Sequence, residues 1–395
     1  MAKVKITGHA SGSGVITVTA PNTSTDRTIT LPDSTGTILD NTSTLDATKL
    51  SGTLPALNGA SLTSVNAVNS GRKNMVYNGA MKVAQRSTSV TGLGAANIYA
   101  TLDRWHTNIN AASAGRFTMA QVADAPAGFA NSLKLTTTTA DTSIAAGEIL
   151  VLGQNFEGQD LQHLEKGTAT AKQITVSFYV KGNANATYTC ELYDRDNTRT
   201  INQAFAVTTA WNRVELTFAA DTSDPLNDDN GSSLSLDFIL HGGTTFSGGT
   251  FSSNAWKDTV NDTRMAESHT SIFDATSRTF FITGVQMEIG SVATDFEYRS
   301  YGEELALCQR YYLIKEHLWA NQGGTNGHRF SPRYDFPCTM RATPTITLTV
   351  GALSNLTSPN PNQTQKEGTQ LYSNFTATVT EGTFNVTLFA ADAEL

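Results

Sequence analysis

The sequence predicts an all-β protein whose central part is an antiparallel two-sheet sandwich. First, runs in which apolar and polar residues alternate recur from Arg72 to about Arg299, and this period of two is typical of strands with one buried face. Second, the segments between the runs are rich in Gly, Asn, Asp and Ser, which favour turns over crossover helices. Third, only 16% of the 395 residues are charged, and short polar or β-branched side chains suit exposed sheet faces.

The strands of the sandwich follow from this alternation. The runs are Ser132–Leu135, Gln173–Val180, Val214–Phe218, Leu234–Leu240 and Thr279–Val285. Successive side chains of a strand point to opposite faces, so every second residue shares a face. The second run therefore predicts one apolar face, made of Ile174, Val176, Phe178 and Val180. The segment from Glu148 to Glu165 predicts a short helix or an irregular insertion.

Two parts of different composition precede the sandwich. Residues 1–40 contain only short alternating runs, such as Val15–Thr19, between turn signals. Such runs cannot bury a core alone, so we expect a small β unit that docks on another protein or on other copies of the chain. Residues 41–71 are rich in Ser, Thr, Asn and Ala with recurring Gly and Pro, which is typical of a linker. The sequence thus predicts an N-terminal anchor and a neck before a sandwich at residues 72–300.

Two further parts follow the sandwich. Residues 301–320 predict a connector helix, because apolar residues from Tyr301 to Leu318 recur at helical spacing. Glu303 and Glu304 fall in its first turn, where the helix dipole favours negative charge. Alternation then returns in Thr345–Val350 and Phe384–Phe389. Residues 321–395 therefore predict a small C-terminal β-sandwich that forms the distal tip.

Charge and hydropathy argue against several classes of protein. The formal net charge is −8 and the Lys and Arg residues are scattered, whereas a nucleic-acid groove needs a basic stripe. The start of the chain, Met1 to Gly14, has no apolar signal segment, and no stretch approaches the roughly 18 apolar residues of a membrane span. We therefore expect no nucleic-acid partner, no membrane insertion, and release from the cell by lysis.

The three cysteines predict no zinc clamp and no dithiol chemistry. Cys190, Cys308 and Cys338 are an odd number, widely spaced, and form no C-x-x-C pair. Free thiols are consistent with assembly in a reducing cytosol. The sequence does not decide whether Cys308 and Cys338 form a disulfide bridge.

Two tryptophans are candidates for glycan binding, which combines an aromatic ring for sugar C–H faces with polar groups for hydroxyls. Trp256 lies in a segment rich in Gly, Ser and Asn, with Asn254 and Lys257 beside it, and we expect its ring to find no local core. Trp319 precedes a polar stretch that carries further candidates, namely Asn321, Asn326, His328 and Arg329. Packing of both rings against neighbouring subunits is an equally open alternative.

An acidic segment offers oxygen ligands for calcium. Its candidates are Asp224, Asp228 and Asp229, and carboxylate oxygens are what calcium prefers. The spacing does not match an EF-hand, and a solvated loop explains the same residues. A structural calcium is thus one interpretation; no other cofactor is predicted.

Catalytic motifs are absent from the sequence. It has no G-x-S-x-G, H-E-x-x-H, P-loop or dinucleotide fingerprint. A carboxylate pair on facing strands would escape such a search, so Glu157, Asp160, Asp194 and Asp196 are the first to consider if cleavage occurs. The segment Asp194–Arg199 is also typical of a hairpin turn. We expect a protein that is not an enzyme.

Three motifs near the end of the sandwich carry a resemblance to a known family. They are GVQMEIG (Gly284–Gly290), T-x-FE-x-R (Thr294–Arg299) and LCQRYY (Leu307–Tyr312), in that order. Together with the strand-turn pattern from Pro21 to Ile38, they resemble tail fibre and receptor-binding adhesin proteins of tailed bacteriophages. The run Trp211–Phe218 resembles jelly-roll carbohydrate-binding modules.

This resemblance implies a structural virion protein. It implies a homotrimer whose N-terminus docks on virion tail or adaptor proteins, and whose distal domains recognise a polysaccharide of the host surface. The protein would then be located in the virion tail after assembly in the cytoplasm of the host bacterium. Two alternatives remain open: a tailspike-like enzyme that degrades glycans, and an architectural head-fibre, collar or tail decoration protein that binds no receptor.

Overall fold

The structure, a computed structural model, describes residues 72–110, 113–266 and 268–395. The predicted N-terminal anchor and neck, residues 1–71, lie outside these described residues. No helix in the described ranges is long and apolar enough to cross a membrane. Strands and helices are numbered below in chain order.

Two six-stranded antiparallel sheets form the sandwich, as predicted. The strands of the first sheet are, in spatial order, β1 Ser89–Leu93, β3 Arg116–Val122, β4 Ser132–Thr139, β12 Thr279–Ile289, β6 Ile174–Gly182 and β9 Asn212–Phe218. Those of the second are β11 Lys257–Asp258, β8 Arg199–Val207, β7 Ala186–Asp194, β10 Ser232–Gly242, β5 Ile149–Glu157 and β2 His106–Asn110. From β4 to β12 the chain passes repeatedly between the sheets, which makes the sandwich jelly-roll-like.

The core lies between the two sheets. The predicted apolar face of β6 is confirmed, because Ile174, Val176, Phe178 and Val180 are all buried. Trp105 joins the same core and is fully buried. Full burial of one large apolar side chain contributes roughly 1.5–3 kcal/mol, so this shared interior holds the two sheets face to face.

The C-terminal strands form a smaller antiparallel assembly with its own core. Three strands pair in the order β13 Tyr312–Gly324, β19 Val379–Asp392 and β16 Thr345–Ser354. A second set consists of β14 Arg329–Phe330, β18 Gly368–Asn374, β15 Arg333–Asp335 and β17 Asn360–Gln365. Helical elements are α1 Thr244–Ser247, α2 Tyr301–Gln309 and three 3-10 turns at Gly158–Asp160, Gln162–Leu164 and Asn261–Thr263.

The predicted connector helix over residues 301–320 is wrong in its second half. The helix begins as expected, because the Ser300 hydroxyl accepts a hydrogen bond from the Glu303 amide at 3.2 Å. It ends at Gln309, and the chain from Tyr312 onwards is strand β13. Pairing with β19 along thirteen residues outweighs the local helical pattern.

The prediction for Glu148–Glu165 is also partly wrong. Residues Ile149–Glu157 form β5, and only the remainder is irregular, with two 3-10 turns. The strand shows little alternation because both faces are covered, one by the core and the other by a small apolar cluster around Phe246. A strand buried on both sides loses the period of two.

The cysteines are free, as expected. Cys190 and Cys308 are buried and Cys338 is half-buried. The bridge between Cys308 and Cys338 is therefore not formed.

A buried ion pair ties the end of the chain back to the sandwich. The guanidinium of Arg104 is fully buried and pairs with Glu394, whose side chain is 5% exposed. It also lies 3.5 Å from the ring centre of Tyr311 and donates to the Asn155 carbonyl at 2.5 Å. The last residues of the chain thus contact the sandwich, and the position of residues 321–395 as the distal tip stays a prediction.

Replacing Arg104 with Met should strongly destabilise the fold. The change leaves the buried Glu394 with Arg86 as its remaining partner, and breaking a buried pair costs about 3–5 kcal/mol. Urea unfolding monitored by tryptophan fluorescence measures this loss. Arg333→Met is the control, because the Arg333–Asp335 pair is exposed and should change stability by less than about 1 kcal/mol. Equal effects of the two variants would contradict the role given to Arg104.

Candidate functional site

The outer face of the second sheet is polar across its middle. A row of directly paired residues crosses five neighbouring strands. In order they are Asn202, Glu191, Asp237, Gly153 and His106. The four polar residues of this row are at most 6% exposed, which is unusual for polar groups on the outside of a sheet. We call this row the polar floor.

Gly153 keeps the polar floor open. A Cβ atom at this position would lie 2.2 Å from the Asp237 Oδ1 atom, so only glycine lets the Asp237 carboxylate lean across β5. The other carboxylate oxygen accepts a hydrogen bond from the Ser235 hydroxyl at 2.9 Å. Burial raises the pKa of Asp237 to about 6, and the nearby Arg195 opposes that rise.

Loops on two sides turn the polar floor into a cleft. A larger lobe of about 520 Å³ lies towards Ile98, Tyr99 and the C-terminal residue Leu395. A smaller lobe of about 230 Å³ lies towards the 243–266 segment. Asn108 and Arg195 line both lobes. We therefore treat the two lobes as one cleft.

Many buried polar atoms on this face have no hydrogen-bond partner among the described residues. They are His106 Nδ1, Asn155 Oδ1, Thr189 Oγ1, Arg195 Nε, Thr200 Oγ1, Asn202 Oδ1 and Asp237 Oδ1. Leaving one such group unsatisfied costs about 1–3 kcal/mol, and buried polar groups in proteins are otherwise nearly always paired. The face thus offers hydrogen bonds that the chain itself does not use.

Most of the charge on the polar floor is neutralised internally. Glu191 accepts hydrogen bonds from Asn202 at 2.5 Å and from the Arg264 Nε atom at 2.9 Å. Burial, together with the charges of Arg195 and Arg104, lowers the pKa of His106 to about 3, so its imidazole is neutral. Neutral donors and acceptors therefore dominate, and such groups suit a ligand rich in hydroxyls.

The expectation that Trp256 is an exposed ring is wrong. The indole is half-buried, packs against the sandwich core, and donates to the Ala219 carbonyl at 2.8 Å. Asn254 accepts from the Ala219 amide at 3.0 Å, and Lys257 donates to the Thr263 hydroxyl at 2.7 Å. These three side chains hold the loop at the edge of the second sheet, because the core reaches further out than the local sequence indicates.

Trp319 is exposed, as expected, but it lies on a strand. Its side chain is 59% exposed on the outer face of β13, opposite Asn385. Asn321 follows on the same face and donates to Glu381 at 3.3 Å. The remaining candidates, Asn326, His328 and Arg329, lie beyond the end of β13 at and before β14, where Arg329 stacks on the Tyr372 ring. Trp319 and Asn321 thus lie on β13, whereas the other three lie on the segment that follows it.

The acidic segment shows no ligand cluster for a metal. In the described part of the chain, no group of three His, Cys, Asp or Glu side chains lies close enough to hold an ion. The Asp229 carboxylate accepts from the Gly231 amide at 2.7 Å, and the Lys166 ammonium donates to the Asp224 carbonyl at 2.8 Å. Asp228 is exposed. Calcium at Asp224, Asp228 and Asp229 stays a prediction, and the Lys166 cation competes with it for the backbone oxygens.

The carboxylates singled out for catalysis are engaged in separate contacts. Glu157 accepts from Tyr311 at 2.6 Å, and Asp194 accepts from Lys166 at 2.5 Å. The other two have one partner residue each: Tyr77 for Asp160, and Asn227 for Asp196. The turn after Asp194 connects β7 to β8, which confirms the hairpin prediction. Each of the four carboxylates therefore has a structural role in these contacts.

A chain of hydrogen bonds elsewhere has the residue types of a hydrolase triad. His241 lies 2.7 Å from the Ser271 hydroxyl and 3.1 Å from Glu148. All three residues are buried, and the Ser271 oxygen also accepts from the Phe273 amide at 3.0 Å. A nucleophile must reach its substrate, so this buried chain is better explained as a structural link between strands.

Sequence reasoning missed the polar floor. The available signal was in β10, where Ser235, Asp237 and His241 alternate with apolar residues that face the core. The alternation correctly identified the buried face of that strand. The outward residues alone do not reveal that five strands align them into one row.

Comparisons with known proteins do not identify the ligand of this cleft. Neither a protein-family model nor a curated protein matches the chain. Among solved structures, the enzymatically active domain of tailspike protein 4 of bacteriophage CBA120 is 12% identical, with a TM-score of 0.28, over 55% of this chain and 21% of that one. This chain thus spans about a fifth of the tailspike structure.

Two sugar-binding proteins are similar to this chain at the same level. The family 11 carbohydrate-binding module of cellulosomal cellulase Lic26A-Cel5E of Clostridium thermocellum is 12% identical, covers 52% of this chain and 98% of its own, and has a TM-score of 0.26. A putative sugar binding protein from Bacteroides thetaiotaomicron is 12% identical, with coverages of 55% and 100% and a TM-score of 0.29. At these TM-scores none of the likenesses bears on the function of this chain.

Replacing Asp237 with Asn should stabilise the fold at pH 7. The pKa of Asp237 is raised from 3.8 to about 6 by burial, so its contribution to stability is present below about pH 4 and is lost as the pH rises through 6. Asn does not ionise, so the variant avoids this loss of stability at pH 7, which is on the order of 1–3 kcal/mol. Urea unfolding at pH 4, 5, 6 and 7 measures the difference between variant and parent.

Asp221→Asn should have the opposite effect on stability at pH 7. Burial alone would raise the pKa of Asp221, but hydrogen bonds from Arg199, the Ser223 amide and Lys166 lower it overall. Its stabilising contribution is therefore present at pH 7 and lost as the pH falls. Asp221→Asn should lower stability at pH 7; a gain from this variant, or a loss from Asp237→Asn, would contradict the assignments.

Proposed function

We propose that the chain is a non-enzymatic structural protein of a tailed bacteriophage, a tail fibre or adhesin that binds a host surface glycan in the cleft above the polar floor. The observation that carries this proposal is the set of buried polar atoms on that face without partners in the described chain. A sugar ring presents several hydroxyls, each both donor and acceptor. It is the class of ligand that best uses such a face.

The size and lining of the cleft support a sugar. The larger lobe, at about 520 Å³, falls within the roughly 300–1,000 Å³ of small-ligand sites. Tyr99 lines the larger lobe and Tyr193 the smaller one, and both rings are half-buried. Aromatic rings that are partly exposed can stack on the C–H face of a sugar while polar neighbours bind its hydroxyls.

The bacteriophage part of the proposal is supported by the three motifs that carry the sequence resemblance. The first two motifs contact each other, because the Glu288 carboxylate accepts from the Thr294 amide at 2.9 Å. The third contacts the sandwich, because Arg310 donates to Glu157 at 2.8 Å. Glu297 accepts from the Asn74 amide at 2.6 Å. The motifs thus form the junction between the sandwich and the C-terminal strands, a structural role that fits a family signature.

Virion docking through residues 1–40 and assembly as a homotrimer complete the proposal. Both are supported by the sequence resemblance. Three weak sites on one fibre raise the apparent affinity through effective concentration, so a single cleft need not bind tightly. Such a protein is located in the virion tail.

The cleft should bind oligosaccharides, and Asn108→Ala should weaken that binding at least about tenfold. Asn108 lines both lobes, so its amide is well placed to bind sugar hydroxyls. The matched control is Thr136→Ala on the outer face of the first sheet, which should bind as the parent does. A glycan array followed by calorimetry on the full chain measures both.

Three outcomes would overturn this proposal. Loss of binding on Trp319→Ala but not on Asn108→Ala would move the site to the C-terminal sheet. Release of reducing ends from the bound polysaccharide would favour the tailspike-like enzyme. Absence of any glycan binding, with the protein still on the particle, would favour an architectural head-fibre, collar or tail decoration role.

A further inference from the structure

Arg195 occupies an unusual place in the cleft. It follows β7, and its guanidinium lies over the floor, with Nη2 4.0 Å from the Asp237 Oδ2 atom. The side chain is 30% exposed, while its Nε atom is buried. The Tyr193 ring lies 5.3 Å from the guanidinium carbon and holds it in place by a cation–π contact. Both lobes of the cleft include Arg195.

The guanidinium of Arg195 is not satisfied by the described chain. A separation of 4.0 Å is too long for a hydrogen bond, and the buried Nε atom has no partner there. Arg264 in the same cleft behaves differently, because two of its nitrogens bond to Glu191. The two Nη groups of Arg195 therefore present a fork of N–H donors with no acceptor in the described chain, which is the geometry that a carboxylate matches with two parallel hydrogen bonds.

The charges around Arg195 leave room for an anion. Glu191 is neutralised by Arg264, and Asp392 pairs with Arg86 at 3.2 Å. Asp237 is the acidic group nearest to the guanidinium; it is mostly ionised at pH 7, since its pKa is about 6, but at 4.0 Å it makes no hydrogen bond to Arg195. The chain as a whole carries −8, so net charge does not favour a carboxylate ligand, and its binding would depend on a local cation such as Arg195.

We propose that Arg195 anchors the carboxylate of an acidic sugar residue, so that the cleft selects polysaccharides containing uronic or similar acids over neutral ones. This inference rests on the proposed glycan-binding function and narrows it to a ligand class. The hydroxyls of the same sugar and of its neighbours then bind Asn108, Asn155 and His106, which line the larger lobe beside Arg195. Arg195 then provides specificity for the carboxylate, and the polar floor provides most of the contacts with the sugar.

The test uses the full chain and an array of neutral and carboxylate-bearing oligosaccharides. The strongest acidic ligand is then compared with its carboxyl-reduced form by calorimetry. We expect reduction of the carboxyl group to weaken binding at least about tenfold. Arg195→Gln should weaken binding of the acidic ligand by a similar factor and leave the reduced ligand unaffected. Arg195→Lys keeps the positive charge but not the fork of N–H donors. Its affinity for the acidic ligand should lie between those of the parent and of Arg195→Gln.

Arg213→Gln is the matched control, because Arg213 is 29% exposed on the first sheet and should leave binding unchanged. Thermal unfolding confirms that each variant is folded. If only neutral glycans bind, or if Arg195→Gln weakens the acidic and reduced ligands equally, the carboxylate anchor is wrong while the glycan-binding function stands. If no glycan binds at all, the proposed function fails and the anchor fails with it.

Discussion

The buried pair between Arg104 and Glu394 is the interaction on which the rest of the structure depends. A fully buried guanidinium is costly unless it is paired and hydrogen-bonded on several sides. Here Glu394, the Asn155 carbonyl and the face of Tyr311 supply those partners. They come from the last residues, from β5 and from the segment after α2, so one charge fixes three distant parts of the chain to each other.

This pair also shapes the cleft. Leu395 accepts hydrogen bonds from Tyr99 at 2.9 Å and from the Asn155 side chain at 3.2 Å. Tyr99, Asn155 and Leu395 all line the larger lobe. Because Glu394 holds the chain end against the sandwich, the C-terminal residues become part of the cleft wall. The Arg104–Glu394 pair therefore affects both the stability of the fold and the shape of the cleft.

The second sheet combines two surfaces of different chemistry. Its inner face packs Leu236, Phe238 and other apolar residues into the core, while its outer face carries the polar floor. Burial of polar groups on the outer face opposes folding, as the raised pKa of Asp237 indicates. Such a cost is typical of binding sites, where groups arranged for a ligand are not optimal for stability.

The sequence by itself determined the all-β class and the inward face of strands such as β6, because alternation is a local property of a strand. It also identified the hairpin after Asp194, where turn chemistry is local. Tertiary structure decided that residues 312–320 are strand, that Trp256 packs on the core, and that His106, Asp237 and Asn202 form one row. Those outcomes depend on which strands become neighbours and in what register, and no single segment carries that information.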